Sequence, residues 1–345
     1  MRSVVIHPPH ELRVEDVPDD EMGPGQVTVS VKAGGICGSD LHYYRHGGFG
    51  TVRVREPMVL GHEASGLVTA VAPDVRTVAI GDRVAINPSR PCRACRYCLE
   101  GKPNHCENMR FYGSAMPWPH VQGAFRDVLV CDAGQCEAVT GDASFEELAL
   151  CEPLAVVLHA AGQAGSLLQR RVLVTGSGPI GALAVAVARH LGAEEIVATD
   201  VLPEPLAVAR RLGTDRTINV AANPEELTGY AAGKGTFDVL FECSGNEHAI
   251  RGALPAMRPG ATVVQLGLAG AEVAFPLNLV VAKELVLKGS FRFHPEFALA
   301  AKLIGSRRLD LRPLLTRTYP AEDAVAAFEA AGDRRAAMKV HLAFG

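Results

Sequence analysis

The stretch that most limits what this chain can fold into is "RVLVTGSGPIGALAVAVARH", from Arg171 to His190. An apolar, β-branched run breaks at Gly176, Gly178 and Gly181 and resumes as an alanine-rich segment of helical character. A G-x-G-x-x-G turn between strand and helix belongs to a parallel βαβ unit. The first glycine makes the turn, the second lets a pyrophosphate approach the backbone, and the third lets helix and strand pack closely. The helix N-terminus adds unpaired N–H groups and a positive dipole end. Alone, the pattern also fits a structural turn in a domain that binds no nucleotide. Here the next strand, "EEIVATD", ends at Asp200, where a carboxylate is expected to accept from ribose hydroxyls. The loop is therefore read as a dinucleotide site, with Gly176, Gly178, Pro179, Ile180, Gly181 and Asp200 as its cofactor-binding residues. Asp200 would repel a 2′-phosphate, and no arginine follows in "VLPEP", so NAD is expected in preference to NADP.

The rest of the middle keeps this alternation. Helical "PLAVARRLG", strand "FDVLFECSG", helical "EHAIRGALPAM" and strand "ATVVQLG" imply a parallel sheet covered by helices. The flanks differ. Up to Pro153 the chain reads as short strands between turns, such as "QVTVSVKAGG", "ASGLVTAVA", "DRVAI" and "FRDVLVC". After Lys288 it returns to mixed character, with an amphipathic "AEDAVAAFEAAGD" and a strand "AAMKVHLAF". The expected organisation is a domain of residues 154–287 inserted between 1–153 and 288–345 of another.

The chain has 345 residues, enough for two cores, and a formal charge of −4 with no long basic run, which argues against a nucleic-acid partner. No apolar stretch suits a membrane span, and the opening residues lack a signal-peptide pattern, so a cytoplasmic protein is expected. The nine cysteines are odd in number, and four of them fall in one segment.

That segment, "CRACRYCLEGKPNHC", spaces Cys92, Cys95, Cys98 and Cys106 as C-x₂-C-x₂-C-x₇-C. Four thiolates can enclose one tetrahedral zinc and leave no open position, which makes a structural site. Iron–sulfur binding and disulfides are the rival readings. A second metal site is suggested by Cys37 in "GGICGSDLHYYRHGGFG" with His62 and Glu63 in "GHE". Thiolate, imidazole and carboxylate with a vacant position suit a catalytic zinc. Glu152 in "CEPLA" precedes the nucleotide-binding part and would lie near the cleft, with Cys151 as its rival.

Together, "GGICGSDLHYY", "VLGHE", the four-cysteine lobe, "EPLAV" and "GSGPIG" resemble the zinc-dependent medium-chain dehydrogenase/reductase superfamily, in its polyol (sorbitol-type) branch. The likeness spans essentially the whole chain. It implies an α/β fold, a Rossmann doubly wound parallel sheet inserted into a mainly β, GroES-like catalytic domain. Within the branch, "AINPSRPCRACRYC", "NMRFYGSAM" and "GSFRF" resemble the members that oxidise the sugar acid L-idonate to 5-keto-D-gluconate. By the same resemblance Cys37, His62 and Glu63 hold the catalytic zinc, and Glu152 is a carboxylate shared between the metal and the substrate. Ser39 takes the substrate proton and His42 relays it. Tyr43 and Arg292 contact the substrate, Tyr44 and His46 line or border the cleft, and Asp40 is structural. Pro205 stands where many members have an arginine near the adenosine ribose, leaving Asp200 to govern cofactor choice. A neutral polyol or threonine is an alternative substrate, and an NAD-binding protein without activity is the non-enzymatic alternative. The resemblance also implies a homo-oligomer, a tetramer, with "ATVVQLGLAGAEVAFPLNLVV" as a candidate edge strand between nucleotide domains.

Overall fold

The structure is a computed structural model that describes residues 1–268 and 272–345. Strand β1 (Gln26–Gly35) alternates buried with half-exposed residues and sets Val27, Val29 and Val31 on one face. Helix α1 (Gly38–His46) follows, then β2 (Glu63–Val71), β3 (Arg83–Ile86), β4 (Val128–Asp132) and β5 (Cys136–Ala138). β1 pairs antiparallel with β2 and β4, β2 with β3, and β3 with β5. These alternating strands bury one face against a core that includes Phe125 and Phe328.

The period then changes as expected. Helix α2 (Cys151–Ala164) leads into β6 (Arg171–Thr175), α3 (Pro179–His190), β7 (Glu195–Asp200), α4 (Pro203–Arg211) and β8 (Arg216–Asn219). β9 (Phe237–Glu242), α5 (Glu247–Ala253), β10 (Met257–Gln265) and β11 (Val286–Gly289) complete this part. Among the described residues, six strands form one parallel sheet in the order β8-β7-β6-β9-β10-β11. Their continuous apolar runs follow from cover on both faces; Val172, Leu173 and Val174 are fully buried. The order reverses beside β6, and that switch point places a crevice at the C-terminal ends of the central strands.

The edge-strand expectation needs correction. β10 is internal, paired with β9 on one side and β11 on the other, so the exposed edge is Val286–Gly289. Residues 269–271 of the stretch named above lie outside the described residues.

After α6 (Glu296–Gly305) come β12 (Leu315–Pro320), α7 (Ala324–Ala331) and β13 (Lys339–Ala343). β13 pairs antiparallel with β1, His341 opposite Gly35, and parallel with β12. The late segment thus rejoins the sheet of the early one, which reads β5-β3-β2-β1-β13-β12 with β4 also on β1. The doubly wound sheet is inserted in a mainly β domain. No helix among the described residues is long and apolar enough to cross a membrane.

Candidate metal and cofactor site

Cys37 occupies the joint between β1 and α1. Its N–H donates to Asp40 Oδ2 at 3.0 Å, which fixes the entry into the helix. The thiol therefore stands at the N-terminus of α1. His62 follows Gly61, whose φ of 94° suits glycine and where a Cβ would lie 2.1 Å from the Phe125 ring. Glu63 opens β2. The ligand atoms of Cys37, His62 and Glu63 all lie within 4.8 Å of one another.

The surroundings of this trio fit a divalent cation. Asp40 Oδ1 is buried without a hydrogen bond and faces His62 Nδ1 at 3.6 Å. Lys339 of β13 donates to Glu63 Oε1 at 2.6 Å and to the Ile36 carbonyl at 3.0 Å. Burial opposes a charge on His62, yet Asp40, Cys37 and Glu152 hold its pKa well above the ordinary imidazole value. Burial also pushes the Glu152 carboxyl up to about 7; His62 and Lys339 oppose that shift while Glu63 and Asp40 add to it. Buried sulfur, nitrogen and carboxylate donors gathered this closely in so dry a place call for a cation between them. Sulfur, nitrogen and oxygen donors with one side open make a zinc donor set. Glu152, in the first turn of α2, stands outside the trio, while Cys151 is fully buried among core residues.

Ser39 and His42 lie one turn apart on α1 and so share a face. Partial burial, with His46 and Arg45 nearby, lowers the His42 pKa. Tyr43 is buried; its hydroxyl accepts from the Ala115 N–H at 3.1 Å, and burial raises its pKa. Tyr44 does not border the cleft as expected. Its ring packs on Phe328 of α7 at 5.5 Å and its hydroxyl donates to Glu329 at 2.7 Å, because the next helical position points it into the core. Arg292 adopts a φ of 56° and lays its guanidinium over Phe111 at 4.6 Å and Phe291 at 4.9 Å. Phe293, on its other side in sequence, is buried against Phe297. Among the described residues no ion pair joins Arg292 to an acidic side chain, and its Nη2 lies 3.4 Å from Met116 Sδ. Burial lowers its pKa, and the charges of Glu152 and Tyr43 oppose that shift.

The four cysteines of the lobe also converge, their sulfurs within 4.8 Å of one another. Backbone N–H groups of Cys92 and Asn108 approach Cys106 Sγ at 3.2 and 3.3 Å, as they do around a thiolate. N–H groups of Ala94 and Cys95 pull the Cys92 thiol down to about 6. These sulfurs can hold a tetrahedral metal. The lobe touches the Arg292 segment: Asn104 Nδ2 donates to the Phe291 carbonyl at 3.2 Å, and His105 stacks on the Phe291 ring at 6.1 Å.

In the glycine loop, a Cβ on Gly176 would meet Ser244 at 2.8 Å and one on Gly181 would lie 1.8 Å from the Gly176 carbonyl oxygen. At Gly178, the N-cap of α3 before Pro179 and Ile180, no atom lies within 4 Å of that position, which leaves room for a phosphate. Asp200 Oδ2 accepts from Ser177 N at 2.8 Å, and its Oδ1 accepts from Val201 N at 2.8 Å and Leu202 N at 3.1 Å. Sequence reasoning missed Lys339, Phe111 and Arg334, whose Nη2 donates to Asp200 Oδ2 at 2.8 Å. Only Lys339 left a sign, a lone cation in the apolar strand "AAMKVHLAF".

The comparisons agree with this geometry. The family described as Alcohol dehydrogenase GroES-like domain matches residues 23–141, and Zinc-binding dehydrogenase matches 179–306. A protein of Escherichia coli (strain K12) named L-idonate 5-dehydrogenase (NAD(P)(+)) is 42% identical over 92% of this chain and 91% of its own. Sorbitol dehydrogenase of Macaca fascicularis is 36% identical over 95% and 91%. The crystal structure of L-idonate 5-dehydrogenase from Escherichia coli superposes with a TM-score of 0.95 at 40% identity, covering 99% of this chain and 98% of that one. With a GroES-like domain, a doubly wound cofactor domain and two convergent metal-ligand clusters in place, the chain belongs to the zinc-binding dehydrogenase family.

Proposed function

We propose that this enzyme transfers hydride from a secondary alcohol of a sugar acid to NAD, converting L-idonate to 5-keto-D-gluconate. The observation that carries the sugar-acid reading is Arg292, a half-buried guanidinium without an acidic partner, stacked on two aromatic rings within electrostatic reach of Glu152. Such an arginine suits a substrate carboxylate, which it can bind in a planar, two-bonded fashion. The Escherichia coli relative named for L-idonate supports the same reading.

Cys37, His62 and Glu63 would hold the catalytic zinc, with the Glu152 carboxyl coupled electrostatically to His62 and Glu63. When bound, zinc supplies Lewis acidity that lowers the pKa of the substrate hydroxyl. Ser39 would accept the hydroxyl proton, and His42, one turn on, would take it towards solvent. The lowered pKa of His42 keeps it neutral near pH 7 and ready to accept. Tyr43 walls the site, and its hydroxyl, already tied to Ala115, presents a fixed edge to the substrate. Gly176, Gly178, Pro179, Ile180, Gly181 and Asp200 seat the dinucleotide, and Cys92, Cys95, Cys98 and Cys106 hold a structural zinc. The catalytic domain comprises residues 1–153 with 288–345, and the cofactor domain 154–287. α2 and β11 straddle the two seams, so each crossing runs through a regular element. A cytoplasmic homotetramer is part of the proposal. Val286 and Leu287, exposed at the β11 edge, support sheet pairing between copies.

A neutral polyol is the second reading, supported by the sorbitol dehydrogenase relative and by the capacity of Arg292 to donate to hydroxyls. The deciding experiment is initial-rate NADH formation by the zinc-loaded protein with L-idonate, D-gluconate, sorbitol, xylitol and threonine. Preference for L-idonate is expected. A preference for sorbitol or xylitol overturns the sugar-acid assignment and keeps the family chemistry.

A further inference from the structure

We propose that Arg334 is a second determinant of dinucleotide choice: it occupies Asp200 in the free enzyme and pairs with the 2′-phosphate of NADP in the complex, so the site accepts both dinucleotides. The inference rests on reading Gly176 to Asp200 as the dinucleotide site.

Asp200 is only 5% exposed, and both its oxygens are fully engaged. Oδ2 accepts from Ser177 N at 2.8 Å and from Arg334 Nη2 at 2.8 Å. Oδ1 accepts from the N–H groups of Val201 and Leu202. A carboxylate offers about four acceptor positions, so none is free. Three of the four donors are backbone amides, fixed by the glycine loop and by the turn into α4. The fourth is a guanidinium carried from the other domain, on the segment between α7 and β13. A ribose hydroxyl therefore reaches this carboxylate by displacing Arg334 or by sharing it.

The displaced guanidinium does not go far. Its side chain is half exposed, tethered beside the carboxylate that marks the 2′ position. A 2′-hydroxyl leaves it in solvent, where it contributes little. A 2′-phosphate gives it a dianionic partner and a charge-assisted bond in place of the one lost from Asp200. A second cation borders the same segment, since a Cβ on Gly332 would lie 1.6 Å from Arg45 Nη2. The arginine missing from "VLPEP" is thus supplied from 134 residues further along the chain.

The test is fluorescence titration of the full-length, zinc-loaded protein with NADH and with NADPH, free of substrate. Wild type, Arg334→Gln, Arg334→Lys and the neighbouring Arg335→Gln are compared. Arg334→Gln should weaken NADPH about tenfold, the scale of one charge-assisted contact, and move NADH by less than about twofold. Arg334→Lys should recover most of the NADPH affinity, and Arg335→Gln should resemble wild type. Equal weakening of both nucleotides by Arg334→Gln, or unchanged NADPH binding, overturns the proposal and leaves the dinucleotide site standing. Wild-type protein that binds neither nucleotide overturns both readings.

Discussion

His341 gives a stability test that is independent of substrate. It lies on β13, 1% exposed, with Nε2 free of any hydrogen bond among the described residues. Burial, and then the charge of Lys339, push its pKa down to about 3, against a weaker contribution from the Glu146 backbone. The unfolded chain would protonate this ring near 6.5. The stabilisation is therefore complete above about pH 6.5 and is lost as the pH falls towards the folded value, because the unfolded state binds the proton that the fold refuses. At about pH 5 the deficit is roughly 1.5 pH units times 1.36 kcal/mol, or about 2 kcal/mol. His341→Asn keeps an amide donor for the Glu146 carbonyl and does not titrate. Urea unfolding of both proteins at about pH 7.5 and pH 5 should show the wild type losing about 2 kcal/mol more than the variant. Any cavity cost of the variant appears at both pH values and cancels in that difference. Histidine NMR should find the His341 ring neutral at pH 5. Parallel pH dependences, or a His341 resonance titrating near 6.5, would refute the reasoning.

The glycine loop separates stability from binding: Gly181→Ala, forced against the Gly176 carbonyl, should lower the thermal midpoint, whereas Gly178→Ala should fold normally and lose NADH affinity. Equal effects in calorimetry and titration would contradict that division. Lys339→Met strands the buried Glu63 carboxylate and should cost the metal-free protein about 3–5 kcal/mol, less when zinc is bound; the same loss in both forms would disprove the charge argument. Cys95→Ser, by loosening the lobe under Phe291, should raise the KM for whichever alcohol the enzyme prefers about tenfold and leave NADH affinity unchanged. An unchanged KM would disconnect the lobe from Arg292.

The parallel sheet was legible because its strands are buried on both faces and its glycine turn has few structural solutions. β8, four residues with an exposed arginine, carried too little pattern to stand out. The metal trio was suggested by residue type, but the convergence of Cys37 with Glu63 depends on β1 pairing with β2, where Gly35 lies opposite Glu63. Tyr44 was misplaced because adjacent helical residues point about 100° apart, and nothing local says that both neighbouring tyrosines are buried, Tyr43 against Ala115 and Tyr44 against Phe328. Arg334 left no sign, and Lys339 only a lone cation in an apolar strand, for a different reason. Their partners lie 134 and 276 residues away, and no local period encodes a contact at that range.

The pairing of β13 with β1 also has a consequence for biosynthesis. Ribosomes release chains in order, so Cys37, His62 and Glu63 emerge long before the lysine that neutralises Glu63, which is made 276 residues later. During that interval the Ala33–Gly35 end of β1 lacks its β13 neighbour, and the Glu63 carboxylate must remain solvated or be met by something else. The inserted parallel sheet has its strands between Arg171 and Gly289 and can close while β13 is still unmade. A nascent chain would thus acquire a dinucleotide fold first and a finished metal pocket afterwards. Stalled or trimmed products lacking β13 would keep the one and lack the other, and could capture nucleotide without turnover. Fusion partners placed after β13 should therefore be joined through flexible spacers, since that strand is the piece on which maturation of the catalytic half waits.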